Sequence, residues 1–394
     1  MCYNEDGDSM IKTKWEDLFF LSLFIIFWLV SIFFFIRNQN VNNLVDNRKS
    51  YRFETFNIQN FLEKSYQESV EEAIRDQMPK YQYFQLVYPK IKNYINYQTS
   101  SFLLNQSNQY IHLGDIYEYQ DYLLYEPVKK EDLKTVYQEN LNRIRTIMNT
   151  TSAPVYVYYI NGDTNIHFAD KTFIDVDHYM EETVPFRENY ASLKIHSFED
   201  YKNYYYQFDH HLSHKGSQKV YEDLVSLLSL ENPLLVQDEV CFKDKGVYGS
   251  KAKVLALNSM LKETMCVFSY PYPTYTIEAD QVLIGEYGSS LSSLKEKKEL
   301  SYATIYGADY GELIFTNLEA SNHKKLLVFS NSYSNSINKL LANHYEKTYV
   351  IDGRYNNQFD FIQYIEEHDI DDVLILANKM LFFDQVRWGI FNVI

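Results

Sequence analysis

The stretch KKLLVFSNSYSNSINKLL, Lys324 to Leu341, reads as a strand, a polar turn and the start of a helix. Leu326 to Phe329 form a continuous apolar run, the pattern of a strand covered on both faces. Ile337, Leu340 and Leu341 follow at helical spacing, and Ser330 to Ser336 between them is polar. This succession is the unit of a layered α/β domain, in which sites gather at the carboxyl ends of strands. Ser332 is therefore the candidate nucleophile, close to helix N-terminal amides that can hold a developing oxyanion. The plain alternative is a helix cap, a role that Ser334 or Ser336 fills equally well.

The same alternation extends outward. Upstream, the pattern predicts a helix over Glu131 to Thr150, a buried strand over Pro154 to Ile160 and a sharp turn at Asn161, Gly162 and Asp163. Asp163, just past a strand end, either reaches the site or caps the next helix. Downstream come a strand over Thr348 to Asp352, a helix over Gln358 to Glu367 and a strand over Val373 to Ala377. The expectation is a mostly parallel sheet with helices around it.

A second stretch, YYYQFDHHLSHKG from Tyr204 to Gly216, packs an acid and three histidines behind a tyrosine cluster. On an extended segment Asp209 and His211 leave on the same side. A carboxylate can then hold one imidazole nitrogen while the other takes a proton from a nucleophile. The competing reading is a polar loop ahead of a helix over Lys215 to Leu228. A metal reading also exists, with Asp209, His210, His211 and His214 as ligands, since a hydrolytic zinc needs three protein ligands and a water. No H-E-x-x-H or other zinc spacing supports it, and no metal or other cofactor is expected.

The order of these motifs resembles the DHHW family, which is similar to the alginate O-acetylation proteins AlgJ and AlgX and has an SGNH-hydrolase-like fold. The resemblance is carried by DHH at Asp209 to His211, NSYSNS at Asn331 to Ser336, VIDGRY at Val350 to Tyr355 and DQMP at Asp76 to Pro79. It implies Ser332 as nucleophile, His211 as general base and Asp209 as its orienting acid. Asn331, Tyr333, Arg354, Tyr306, Gly307 and His210 are the surrounding candidates for substrate or oxyanion contacts. It further implies acetyl transfer to a polysaccharide, a membrane-bound acyltransferase partner supplying acetyl groups, and a catalytic domain outside the cytoplasm. Two positions depart from the family: its tryptophan is Leu212 here, and the Gly-Asp pair before the serine is Ser330 and Asn331.

At 394 residues the chain can bury an ample core. Its formal net charge of -16 and lack of a basic stripe exclude nucleic acid as a partner. That charge also opposes polyanions, unless a basic patch of Lys324, Lys325, Arg354, Lys90 and Lys92 faces the substrate. The 37 tyrosines suit sugar-stacking surfaces, or reflect general residue usage. Cys241 and Cys266 either form a disulfide closing an arm or remain two thiols.

In chain order, residues 1-17 read as a disordered tail and Leu18 to Ile36 as a membrane-spanning helix, long enough for a hydrocarbon core of roughly 30 Å. No small-residue cleavage site follows, so the span reads as an uncleaved single-pass anchor. Residues 37-57 form a linker, and 58-394 the extracytoplasmic domain. Within it, Ile58 to Asp76 is an amphipathic helix and Tyr83 to Tyr97 a helix interrupted at Pro89. Phe102 to Tyr125 reads as strands or a hairpin, His196 lies in a strand, and Tyr204 to Tyr206 could line a sugar subsite. Residues 232-299 read as an insertion across the site, and Gly307 or Gly311 as a source of an oxyanion amide or a turn. The apolar end, Val386 to Ile394, suggests docking onto the domain or a membrane partner.

Overall fold

The computed structural model describes residues 7-37, short segments between 42 and 99, most of 111-128, then 136-162 and 166-383, with short gaps between 244 and 262 and at 357-358. Asp163, Pro79 and the end after 383 lie outside the described residues. The chain divides into two compact units, Met1 to Tyr94 and Ile95 to Ile394.

In the first unit α1 runs Gly7–Arg37, so the helix begins well before Leu18, inside the expected tail. Its apolar side chains from Leu18 to Val30 are exposed. Counted over the described residues, no helix is long and apolar enough to cross a membrane. The amphipathic helix expected over Ile58 to Asp76 is two pieces, Ile58–Leu62 and Ser65–Gln77.

The second unit is built on an eight-stranded sheet. Its strands are β4 (Val155–Tyr159), β5 (Tyr190–Ser192), β8 (Tyr275–Ala279), β9 (Val282–Ile284), β10 (Glu312–Asn317), β11 (Lys325–Ser330), β12 (Lys347–Asp352) and β13 (Asp372–Ala377). Their order is β9-β8-β10-β12-β11-β13-β4-β5. From β12 to β5 every pair is parallel, while β9, β8 and β10 join antiparallel. Four of the seven pairs are thus parallel, as expected, and an antiparallel edge begins at β10. On that edge β8 and β9, inside the expected insertion, extend the sheet instead of lying across it.

β11 shows why the sheet takes two layers of helices. Leu327 and Phe329 enter one apolar cluster, Leu326 and Val328 the other, and all four are fully buried. That is the two-residue period of a strand buried on both faces, at about 1.5–3 kcal/mol per buried side chain. One face is covered by α2 (Val136–Thr150), α3 (Val176–Thr183), α9 (Phe361–His368) and α10 (Lys379–Phe383). The other carries α4 (Phe198–Tyr204), α5 (His214–Leu227) and α8 (Asn338–Ala342). A small sheet of β1 (Ile111–Leu113), β2 (Ile116–Tyr119) and β3 (Tyr122–Tyr125) also packs there. His196 is not in a strand: its amide donates to Asp200, whose carboxylate closes a capping box with Ser197 at the start of α4.

The arm that does stand outside the sheet is the antiparallel pair β6 (Asp238–Phe242) and β7 (Met265–Ser269). Cys241 and Cys266 face each other in that ladder and form a disulfide. Phe242, Met265 and Val267 pack on Tyr206, Tyr302 and Ile305 in a separate apolar cluster.

Candidate active site

Ser332 follows the carboxyl end of β11, in the middle of the sheet. Asn331 caps a one-turn 3₁₀ helix, Ser332–Ser334, by accepting the Tyr333 amide at 3.1 Å. The α-helix starts only at Asn338, so a tight 3₁₀ turn stands where the sequence pattern predicts helix N-terminal amides. Ser332 is half-buried and its neighbours Asn331 and Tyr333 are buried.

The histidine half is a narrow hairpin. Tyr205 and Leu212 form an antiparallel bridge, and Ser213 donates its amide to the Tyr204 carbonyl at 2.8 Å. The closure brings Asp209 and His211 to the tip. His211 Nδ1 lies 2.6 Å from Asp209 Oδ1, and Nε2 lies 3.0 Å from Ser332 Oγ. A carboxylate at Nδ1 keeps the proton there, which leaves Nε2 to accept from the serine hydroxyl. Asp209 also accepts the His211 amide at 3.0 Å and the Ser250 amide at 2.8 Å. Burial by itself would raise its carboxyl, but the charge and hydrogen bonds of His211 outweigh that and hold it well below the usual carboxylate range.

Three neighbours of the hairpin escaped the sequence reading. Tyr302, in α7 (Tyr302–Tyr306), lays its ring flat on the His211 imidazole, 3.7 Å between centroids and 3° between planes. Its hydroxyl accepts the Ser336 amide at 3.3 Å, so one side chain touches both halves of the site. Glu263, at the root of β7, accepts the amides of Gln207 at 2.7 Å and Phe208 at 3.2 Å. Burial and the nearby Asp209 push its carboxyl up to about 7. Gly249 completes the grip: a Cβ there would lie 2.1 Å from the Phe208 carbonyl oxygen, which accepts the amides of Lys251 and Ala252 in α6 (Ser250–Val254). These contacts span 34 or more positions of sequence, and no local pattern announces them.

The remaining candidates divide. His210 packs tilted against His211 at 3.8 Å between centroids, places Nδ1 2.5 Å from Ser250 Oγ, and gives its carbonyl to the Tyr333 hydroxyl at 2.8 Å. Burial and the adjacent His211 hold its ring well below the ordinary histidine range, so it is neutral and joins the two loops. Asn331 and Tyr333 are committed within the fold, since Asn331 Nδ2 also donates to Asn378 at 3.1 Å. Tyr306 packs on Tyr302 at 4.9 Å, and burial pushes its phenol up to about 12. The Gly307 amide is spent on the Ala303 carbonyl at 3.0 Å, which removes it as an oxyanion donor. The Gly311 carbonyl accepts the Asp352 amide at 3.3 Å, which extends the β10–β12 pairing. Arg354 is held by Asp352 and Asp309. Tyr205 and Tyr206 are buried, with hydroxyls on the carbonyls of Asn161 and Cys266, so they support the hairpin and line no sugar subsite.

Asp209, His210 and His211 do bring ligand atoms together, but each ring nitrogen named above already faces an acid or a serine. His214, the fourth member of that reading, turns its Nε2 to Glu239 at 2.6 Å. Leu212, where the family carries tryptophan, is fully buried in the apolar layer under the sheet. It packs the hairpin's base and has no part in the chemistry at its tip.

No protein-family model and no curated protein matches the chain. Solved structures do. Bacillus cereus PatB1, recorded with a sulfonyl adduct, aligns with a TM-score of 0.55 and 18% identity, covering 70% of this chain and 97% of that one. A DHHW family protein from Eubacterium siraeum aligns with a TM-score of 0.53 and 16% identity, covering 73% and 96%. The O-acetyltransferase domain of Pseudomonas putida AlgJ reaches only 0.38 at 11% identity, too distant to argue from. The fold of this chain is therefore the one shared by PatB1 and that DHHW protein, a layered α/β domain.

Proposed function

We propose that the chain is a membrane-anchored O-acetyltransferase or acetylesterase acting on a cell-surface or secreted polysaccharide through a serine acyl-enzyme. The observation that carries this reading is the relay of buried Asp209, His211 and Ser332, at 2.6 and 3.0 Å. In the first half-reaction Ser332 Oγ attacks the acetyl carbonyl and its proton passes to His211 Nε2. Collapse of the tetrahedral adduct expels the donor's leaving group, which takes that proton from His211 and leaves acetyl-serine. In the second, a sugar hydroxyl attacks the ester, His211 takes its proton, and Ser332 departs reprotonated. Water in place of the sugar gives hydrolysis by the same steps. The sulfonyl adduct recorded for PatB1 is the kind of product a sulfonyl reagent leaves on an activated nucleophile, and it supports the reading by analogy of fold.

The anchor is the apolar run Leu18 to Ile36 within α1, single-pass, with the catalytic unit outside the cytoplasm. The Cys241–Cys266 disulfide supports that side, since such bonds persist in oxidising compartments. A membrane-bound acyltransferase supplies the acetyl groups. The rival reading is a non-catalytic polysaccharide-binding scaffold, suggested by the departures at Leu212 and Asn331; Leu212 packs the hairpin's base and Asn331 caps the serine turn, so neither disturbs the relay.

The test is acetate release from a chromogenic acetyl ester by the full chain in detergent. The expected result is turnover that is indifferent to chelator and abolished by Ser332→Ala and by His211→Ala. Turnover unchanged in either variant would sink the assignment, and loss to chelator would restore the metal reading.

A further inference from the structure

The basic residues near the serine stretch decide what kind of glycan can approach it. Lys324 and Lys325 lie at the amino end of β11, whereas Ser332 follows its carboxyl end, about 20 Å away at ~3.3 Å per residue. Lys325 Nζ is also engaged, donating to the His368 carbonyl at 2.8 Å and lying 3.6 Å from Asp369. Arg354 is at the correct end of the sheet, because Asp352 pairs with Ser330 in the β11–β12 register. Its Nε, however, bonds both oxygens of Asp352, and Nη2 bonds Asp352 at 2.5 Å and Asp309 at 2.8 Å. Asp309 in turn accepts Asn335 Nδ2 of the serine turn at 2.9 Å, so this acid-rich cluster is fastened to the nucleophile's own loop. Lys251, under the histidine hairpin, is fully buried with Nζ on the Tyr201 hydroxyl at 3.0 Å.

A uronate or phosphate arriving here meets a guanidinium that already carries two carboxylates, and a net charge of -16 on the whole chain. Anion capture needs a cation whose charge is not already matched. What the same corner does offer is Tyr355, exposed beside Arg354, a ring suited to a sugar's apolar face. Resting on the acyl-transfer reading of Ser332, we infer that the acceptor is a glycan without acidic groups, and not a uronate- or phosphate-bearing polymer.

Two measurements test this on the full chain in detergent. In the first, Ser332→Ala is run through native gels cast with a neutral glucan, with an N-acetylglucosamine polymer or with polygalacturonate, at ~0.02 M and ~0.5 M salt. Retardation by a neutral polymer that salt leaves unchanged, and none by polygalacturonate at low salt, is the expected result. Retardation by polygalacturonate that salt weakens overturns the inference, as does retardation by none of the three. Asp309→Asn on the same background, which leaves Arg354 one carboxylate, gains polygalacturonate retardation at low salt; no gain overturns the assignment to this cluster. In the second measurement, wild type supplied with the acetyl ester transfers acetyl to neutral oligosaccharides at least ~10-fold better than to oligogalacturonides at low salt, and salt narrows the gap as it screens repulsion. Equal transfer overturns the inference. Absence of ester turnover breaks the acyl-transfer reading instead, and the gels then still decide the charge question.

Discussion

The two halves of the relay are held in place by different kinds of structure. Ser332 hangs from β11, paired on both sides by parallel strands and sealed by Leu326 to Phe329, all fully buried. Asp209 and His211 sit on a hairpin outside the sheet, gripped by the Glu263 carboxylate, the Ser250 amide and the Tyr302 ring. The nucleophile thus shares the stability of the sheet's centre, while the base sits at the tip of a hairpin whose stem is seated by Tyr205 and Leu212 and whose tip is held by polar contacts and a disulfide-closed arm. Parts outside the central sheet open at lower free energy than its centre does. Damage to the arm should accordingly show first in activity, and damage to β11 first in folding.

The largest effect tests whether the halves act as one unit. Ser332→Ala, His211→Ala and the double variant each lose at least ~1,000-fold in ester turnover, and the double is no worse than the singles. Additive losses, measured under the same conditions, would mean the halves act separately.

The next probe is Tyr302, which touches both halves. Tyr302→Leu removes the stacked ring and lowers turnover ~10-fold, with KM little changed. Tyr302→Phe keeps the ring and restores turnover. A Leu variant with wild-type turnover would reduce Tyr302 to packing alone.

A smaller effect follows from the arm. Its disulfide spans 25 residues, so opening it costs about 3 kcal/mol by loop entropy. Cys241→Ser with Cys266→Ser should lower turnover several-fold at temperatures where circular dichroism still shows the sheet folded. Turnover and melting that decline together would erase the difference between the halves.

The smallest effect is a pH dependence at Glu263. Burial and Asp209 raise its folded pKa to about 7 from the ordinary 4.5. Its contribution to stability is therefore complete below about pH 4.5 and lost as pH rises through 7. Glu263→Gln, which cannot ionise, should flatten the fall in melting temperature between those pH values. An unchanged slope would locate the dependence elsewhere.

What could be read before the structure was uneven for physical reasons. The strand-turn unit around Ser332 was legible because a doubly covered strand needs a continuous apolar run, and its turn needs small polar residues. The helix after the DHH run was legible to within a residue, since Ser213 caps its first turn through the Gly216 amide. The antiparallel edge was not, because β8 carries its pairing information in partners such as Ile314 and Phe315, opposite Glu278 and Ile277. Gly307 misled for a related reason: glycine marks a backbone need, and here that need is a helix end at φ 102°, not an oxyanion contact.

The sequence by itself determined the local facts: a long apolar run from Leu18 to Ile36, a strand leading to a serine turn, an acid two residues before a histidine, and a net charge of -16. Tertiary structure alone decided which serine meets the histidine, which residues clamp the base, and that Arg354 is spent on its own acids. Local periodicity and turn chemistry act over a few residues. Contacts such as His211 to Ser332, 121 positions apart, exist only once the core has packed and set the distance between their loops.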